Sequence, residues 1–134
     1  MTEGHEVHLR VIKEKNMHKK IIIDGVEYVP KSEVSAPELN GMKYCIVRTY
    51  SAGVFAGYVE SRNGQEVVIR QARRLWKWAG AASLSQLAVS GTSKPNECMF
   101  PESVDKITVT QAIEILECTQ AGKESIMAVD IWKA

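Results

Sequence analysis

The chain is short of several features that would fix its class at a glance. Only three cysteines occur in 134 residues, Cys45, Cys98 and Cys118, and they are far apart and form no CxxC pair. That pattern argues against a disulfide framework or a zinc knuckle and leaves reduced thiols that fill space. The three histidines, His5, His8 and His18, crowd into the first 18 residues without sharing a face of one element, so no metal site is expected. No apolar run approaches the ~20 residues that span a bilayer, and the polar start MTEGHEVHLR has no signal-peptide h-region. The expected location is therefore the cytosol. Charge of one sign is also missing: seventeen Lys+Arg against sixteen Asp+Glu leave +1. Such a chain has no global field to draw it onto DNA or an anionic membrane, so any phosphate site must be local and shaped. Finally, no His, Asp or Glu occurs from Gln71 to Asn96, which removes the usual general bases from that stretch.

What is present fits one domain with a real core, with 45% apolar and 25% charged residues. The most informative stretch, ARRLWKWAGAASLSQLAVS over 72–90, sets two adjacent arginines and two tryptophans ahead of a small-residue turn and an apolar helix. Arg73 and Arg74 are forked cations suited to phosphate. Trp76 and Trp78 are plates for a base. Ser83 is the predicted N-cap of a helix through Val89, with Gln86 completing a capping box and Gly91 ending it. The amides at that helix start could face an anionic oxygen. The plainer reading of ARRLWKW is a strand with both tryptophans in the core and both arginines in water.

Around this stretch the punctuation is regular. Residues 19–30 carry two β-rich runs about Asp24-Gly25, the signal of a two-residue hairpin, and 31–41 reads as a hinge with a helical turn at 32–34. Such a hairpin is marginal alone and must dock on the body or on another subunit. A strand MKYCIVRTY, a second run VFAGYVES and a third, QEVVIRQARRLWKW, follow, the latter two joined at Asn63-Gly64. Gly53 and Gly57 mark a bulge or a close approach. Val104–Glu117 alternates as one further strand, with Gln111 on its otherwise apolar side. A short helix capped by Thr119 and a last edge strand, VDIWKA, close the chain. Phe100, between Met99 and Pro101, is either a core ring or an exposed plate. The expected fold is thus α+β in a single domain: a twisted antiparallel sheet, two short helices and an N-terminal β-hairpin arm. Residues 1–41 form the arm and 42–134 the ligand-binding body.

Together, VRTYSAGVFAGYVESRNGQEVV, ARRLWKWAGAASLSQLAVSGT, CMFPESVD and QAIEILECT resemble the Thoeris anti-defence sponge family of phages and prophages. The resemblance implies a protein that is not an enzyme, has no cofactor, and captures cyclic ADP-ribose isomers made by bacterial TIR proteins without breaking them. It further implies uptake of cyclic di- or trinucleotides of the CBASS pathway, assembly as a homo-oligomer (a dimer, or a hexamer of dimers), and residence in the cytoplasm of the bacterial host. Carried onto this sequence, the implied ligand-binding residues are Arg48, Tyr50, Ser51, Ala52 and Gly53 at a strand end, and Arg73, Arg74, Trp76 and Trp78. Ser83 and Ser85 at the helix start, and Phe100 and Gln111 from the later half, complete the set. Two other functions use the same residue types: a single-stranded nucleic-acid-binding module, disfavoured by the near-zero charge, and a small hydrolase of nucleotide signals, disfavoured by acidic residues with no ligand spacing.

Overall fold

Alternating apolar runs separated by Asn-Gly and Asp-Gly turns produce strands, and a computed structural model describes residues 21–134 of the chain. β1 (Ile21–Ile23) and β2 (Val26–Tyr28) form a separate two-stranded hairpin. Asp24 and Gly25 between them both have positive φ, as a type I′ turn requires. The main sheet contains β3 (Lys43–Thr49), β4 (Val54–Asn63), β5 (Glu66–Arg74), β6 (Val104–Val109) and β7 (Ala112–Glu117). Its order is β6-β5-β4-β3-β7 and every pairing is antiparallel. Two helices, α1 (Leu84–Ser90) and α2 (Gln120–Ala128), complete a single α+β domain. The histidines at 5, 8 and 18 lie outside the described residues.

The sheet is curled, and a short connection forces it. β6 and β7 are the two edge strands, which in a flat five-stranded sheet would lie about 19 Å apart, four spacings of ~4.8 Å. The three steps from Val109 to Ala112 reach at most ~11 Å. The edges must therefore approach each other at that end, and the Ala112 N–H donates to the Gln65 carbonyl at the β4–β5 tip (3.0 Å). Two bulges let β4 and β5 bend, one at Glu60 and one at Gln71, where φ is +52°. Because one bulge lies on each strand, they cancel, and Phe55 still faces Arg74. The concave side closes over its own core of Val47, Phe55, Val67, Ile69, Ala72 and Val109. On the convex side Tyr44, Ile46, Ala56, Tyr58 and Leu75 pack with Leu87 and Ala88 of α1, Ile126 of α2 and Phe100.

Three expectations are corrected. Val104–Glu117 is not one strand: Thr110 and Gln111 interrupt it, and this two-residue link carries the chain from one sheet edge to the other. β5 stops at Arg74, so Leu75–Trp78 leaves the sheet, held by the bridge of Lys77 to Met99. The C-terminal VDIWKA forms no strand; one bridge from Ile131 to Phe100 and a bond from the Trp132 N–H to the Phe100 carbonyl (3.0 Å) tie it down. Both N-caps are as predicted, Ser83 Oγ accepting from the Gln86 N–H and Thr119 Oγ1 from the Gly122 N–H, but the capping box is half made, since Gln86 Oε1 takes the Ala82 N–H rather than that of Ser83. Before β3 the chain already packs on the body, because Ala36 is in the core and its N–H donates to the Cys118 carbonyl.

Candidate functional site

The β3–β4 turn is the frame of the site. Thr49 Oγ1 donates to the Gly53 carbonyl (2.7 Å) and accepts from the Ala52 N–H (2.9 Å), while the Thr49 N–H also donates to the Gly53 carbonyl (3.0 Å). Gly53 sits at φ +101°, where a side chain is strained. This loop is fastened to the end of β5 twice. The Leu75 N–H donates to the Val54 carbonyl (2.8 Å), and Arg74 Nη1 donates to the Ala52 carbonyl (2.6 Å). The Arg74 guanidinium also lies over the Phe55 ring, 4.4 Å from its centroid, a contact worth about 0.5–2 kcal/mol. One side of the fork is thus anchored, and the guanidinium remains exposed.

Ser51, Ala52, Gly53, Val54, Arg74, Leu75, Trp76 and Trp78 line one cavity of about 220 Å³. Trp76 is 64% exposed, a free indole at the mouth, whereas Trp78 is half-buried and packs against the convex core. Six of the predicted residues therefore meet here: Ser51, Ala52, Gly53, Arg74, Trp76 and Trp78. Tyr50 and Gln111 adjoin it. Tyr50 is 76% exposed, its N–H donates to the Gln111 carbonyl (2.9 Å), and Ser51 Oγ is 3.4 Å from Gln111 Oε1. Gln111 is exposed in the β6–β7 link rather than set into an apolar strand face.

The other predicted residues are elsewhere. Arg73 points to the opposite side of β5 from Arg74, as the two-residue period of a strand demands. It is buried and fully engaged. Nε donates to the Pro101 carbonyl (2.9 Å), Nη1 to that of Ile126 (2.8 Å), and Nη2 to those of Phe100 (3.1 Å) and Val129 (2.7 Å). The carbonyls at 126 and 129 end α2, so Arg73 is the cation that satisfies that helix C-terminus. Burial lowers its pKa from the ordinary guanidinium value. Its expected role as a phosphate clamp is corrected to a structural one. Phe100 is likewise a core ring with no exposed surface, 5.5 Å from the Arg73 guanidinium. Arg48 is engaged with Glu114 at 2.8 Å. Ser83 and Ser85 are exposed at the start of α1 but are not among the cavity residues. Part of the expected anion cradle there is used internally, because Ser83 Oγ takes the Gln86 N–H and Gln86 Oε1 takes the Ala82 N–H (2.8 Å).

Sequence reasoning missed Phe55, which supports Arg74 from behind, and Val54 and Leu75 in the wall. The sequence alone misplaces Phe55: counting back from a two-residue turn at Asn63-Gly64 sets it opposite Ala72, and only the observed turn at Gly64-Gln65 brings it opposite Arg74. Among the described residues no three His, Cys, Asp or Glu side chains gather as metal ligands, and no helix is long and apolar enough to cross a membrane.

Residues 42–126, from just before β3 to within α2, match a family described as a domain of unknown function, DUF6948. The hairpin β1–β2 lies outside the matched segment. No curated protein and no solved structure matches the chain.

Proposed function

The chain belongs to the DUF6948 family, and from the geometry of its β3–β4 turn we propose that it binds and sequesters a cyclic ADP-ribose isomer, the TIR-derived signal of Thoeris immunity, without degrading it. The observation that carries this reading is one cavity in which an exposed indole, an anchored guanidinium and the backbone of a small-residue turn converge. Trp76 stacks the adenine and Arg74 faces the diphosphate with the nitrogens not held by Ala52. Ser51 and the neighbouring Gln111 supply polar groups for ribose.

The wall residues include no carboxylate, imidazole or thiol, which favours retention over hydrolysis, since cleavage at an anomeric carbon needs a group to manage the proton. At about 220 Å³ the cavity is smaller than the ~300–1,000 Å³ of typical small-molecule sites. A cyclised ADP-ribose therefore extends past it over Trp76 and Tyr50, where a second subunit would complete the enclosure. Assembly as a dimer or a hexamer of dimers, capture of cyclic oligonucleotides, and action in the bacterial cytoplasm belong to the same proposal.

The test is depletion of free ligand. Purified protein mixed with a cyclic ADP-ribose isomer and passed through an ultrafilter is expected to retain it, and heat denaturation is expected to release the same compound unchanged. Arg74→Ala and Trp76→Ala are each expected to weaken retention by at least about tenfold. Recovery of ADP-ribose would make the protein an enzyme, and no retention by the unaltered chain would end the reading.

A further inference from the structure

Among the described residues the hairpin β1–β2 stands apart from the main sheet and exposes apolar side chains. In its register Ile23 faces Val26, and Tyr28 lies two residues on from Val26, so these three side chains share one face, with Ile22 and Glu27 on the other. Val26 is 52% exposed, and Ile23 and Tyr28 are exposed as well. A two-stranded hairpin is marginal by itself in water, so this face requires a cover.

The body carries a matching surface. Among the described residues β7 is an edge strand, paired only with β3 apart from the Ala112 N–H held by the Gln65 carbonyl, so its outer backbone groups are open along 113–117. Ile113 and Ile115 are 44% and 36% exposed there and line a groove of about 580 Å³ with Arg62 and Gln65. Charge matches too. Among the described residues the Arg62 side chain makes one bond, from Nε to the Gly64 carbonyl (3.0 Å), which leaves both terminal nitrogens for an anion. Asp24 stands at the hairpin tip with no partner among the described residues.

We propose that the arm of one copy seats on the β7 edge of a second copy, reciprocally, with Ile23, Val26 and Tyr28 over Ile113 and Ile115 and Asp24 near Arg62. Area distinguishes this from stacking arm on arm. A face of on the order of 300 Å² stacked on its twin buries ~600 Å² in total, below the ~1,200 Å² at which specific interfaces begin. Two arms on two grooves count each surface twice and reach that range. The inference is independent of what the Arg74–Trp76 cavity binds, because its surfaces lie apart from the cavity walls.

Sedimentation of the full chain tests it. The unaltered protein is expected to be dimeric or a multiple of dimers at ~10 μM, and Val26→Lys or Ile113→Lys alone is expected to raise the dissociation constant by at least about tenfold. Both positions are exposed in the monomer, so circular dichroism should be unchanged. Asp24→Arg and Arg62→Asp are each expected to weaken association, and the two reversals combined to restore it. A monomeric unaltered chain overturns the proposal. So does a dimer insensitive to Ile113→Lys, which would place the arm on another surface, whether a twin arm or a different face.

Discussion

Arg73 and Arg74 are chemically identical neighbours with opposite tasks, and the difference comes from which side of β5 each faces. Arg73 donates four hydrogen bonds to carbonyls in the interior. Truncating it leaves those acceptors buried without donors, a loss put at about 3 kcal/mol or more. Arg73→Lys is expected to recover little, because an ammonium cannot reproduce a planar fork. Arg74→Ala removes one exposed bond and a contact with Phe55, a change expected within about 1–2 kcal/mol. Urea titrations of the two alanine variants should therefore separate, with Arg73→Ala the less stable. Equal stabilities would mean that the buried network contributes nothing. The sequence could identify the pair as chemically capable but could not divide the labour. Trp76 and Trp78 show the same limit, since both are plausible plates and only the departure of the chain from β5 after Arg74 leaves one free and one half-buried.

At the scale of elements, most of what the sequence announces is local and is found. The turn expected at Asn63-Gly64 is found one residue on, at Gly64-Gln65, because Asn63 pairs with Glu66 as the last residue of β4, while Ser83 and Thr119 cap α1 and α2 and Gly91 closes α1. Gly122 is a poor helix former inside α2, yet it is the point where the helices touch. A Cβ there would collide with the Ala88 carbonyl oxygen, whose hydrogen-bond partner is the Thr119 N–H. Gly122→Ala trades better helix propensity for that collision, and collision wins because backbone on the far side cannot step aside. A net cost of about 1–3 kcal/mol is expected by thermal or chemical denaturation. A stabilised Gly122→Ala protein would show that the helices can part at little cost. The error over Val104–Glu117 has a related origin. Alternation continues straight through Thr110-Gln111, so periodicity could not reveal that the chain changes sheet edge there.

At the scale of the molecule, curling gives the protein two cores, and buried groups titrate accordingly. Burial, with Glu117 nearby, pushes the Cys45 thiol up from 9.0 to about 11, and burial pushes Cys118 from 9.0 to about 12. The native state therefore keeps protons that the unfolded chain releases near pH 9. Their stabilisation is complete below pH 9 and is lost as pH rises from there towards 11–12. The unfolding free energy from urea titration is expected to fall between pH 8 and 10.5, by roughly 1–2 kcal/mol for each thiol, and Cys118→Ala should flatten that slope. A free energy that holds steady across this range would mean that the thiols titrate alike folded and unfolded.

The sequence by itself determined the α+β class, the turns, the caps and the chemical types gathered at the site, because each depends on residues within a few positions of one another. It also placed six cavity residues in two short segments, 51–53 and 74–78. Only the tertiary structure decided that the sheet closes on itself, that Phe100 and Arg73 serve the interior, and that among the described residues β7 pairs with β3 alone and the hairpin stands outside the main sheet. Those outcomes depend on contacts between distant parts of the chain, such as Arg73 with Val129 or Ala112 with Gln65, and no local pattern records which partner a side chain or strand edge will meet.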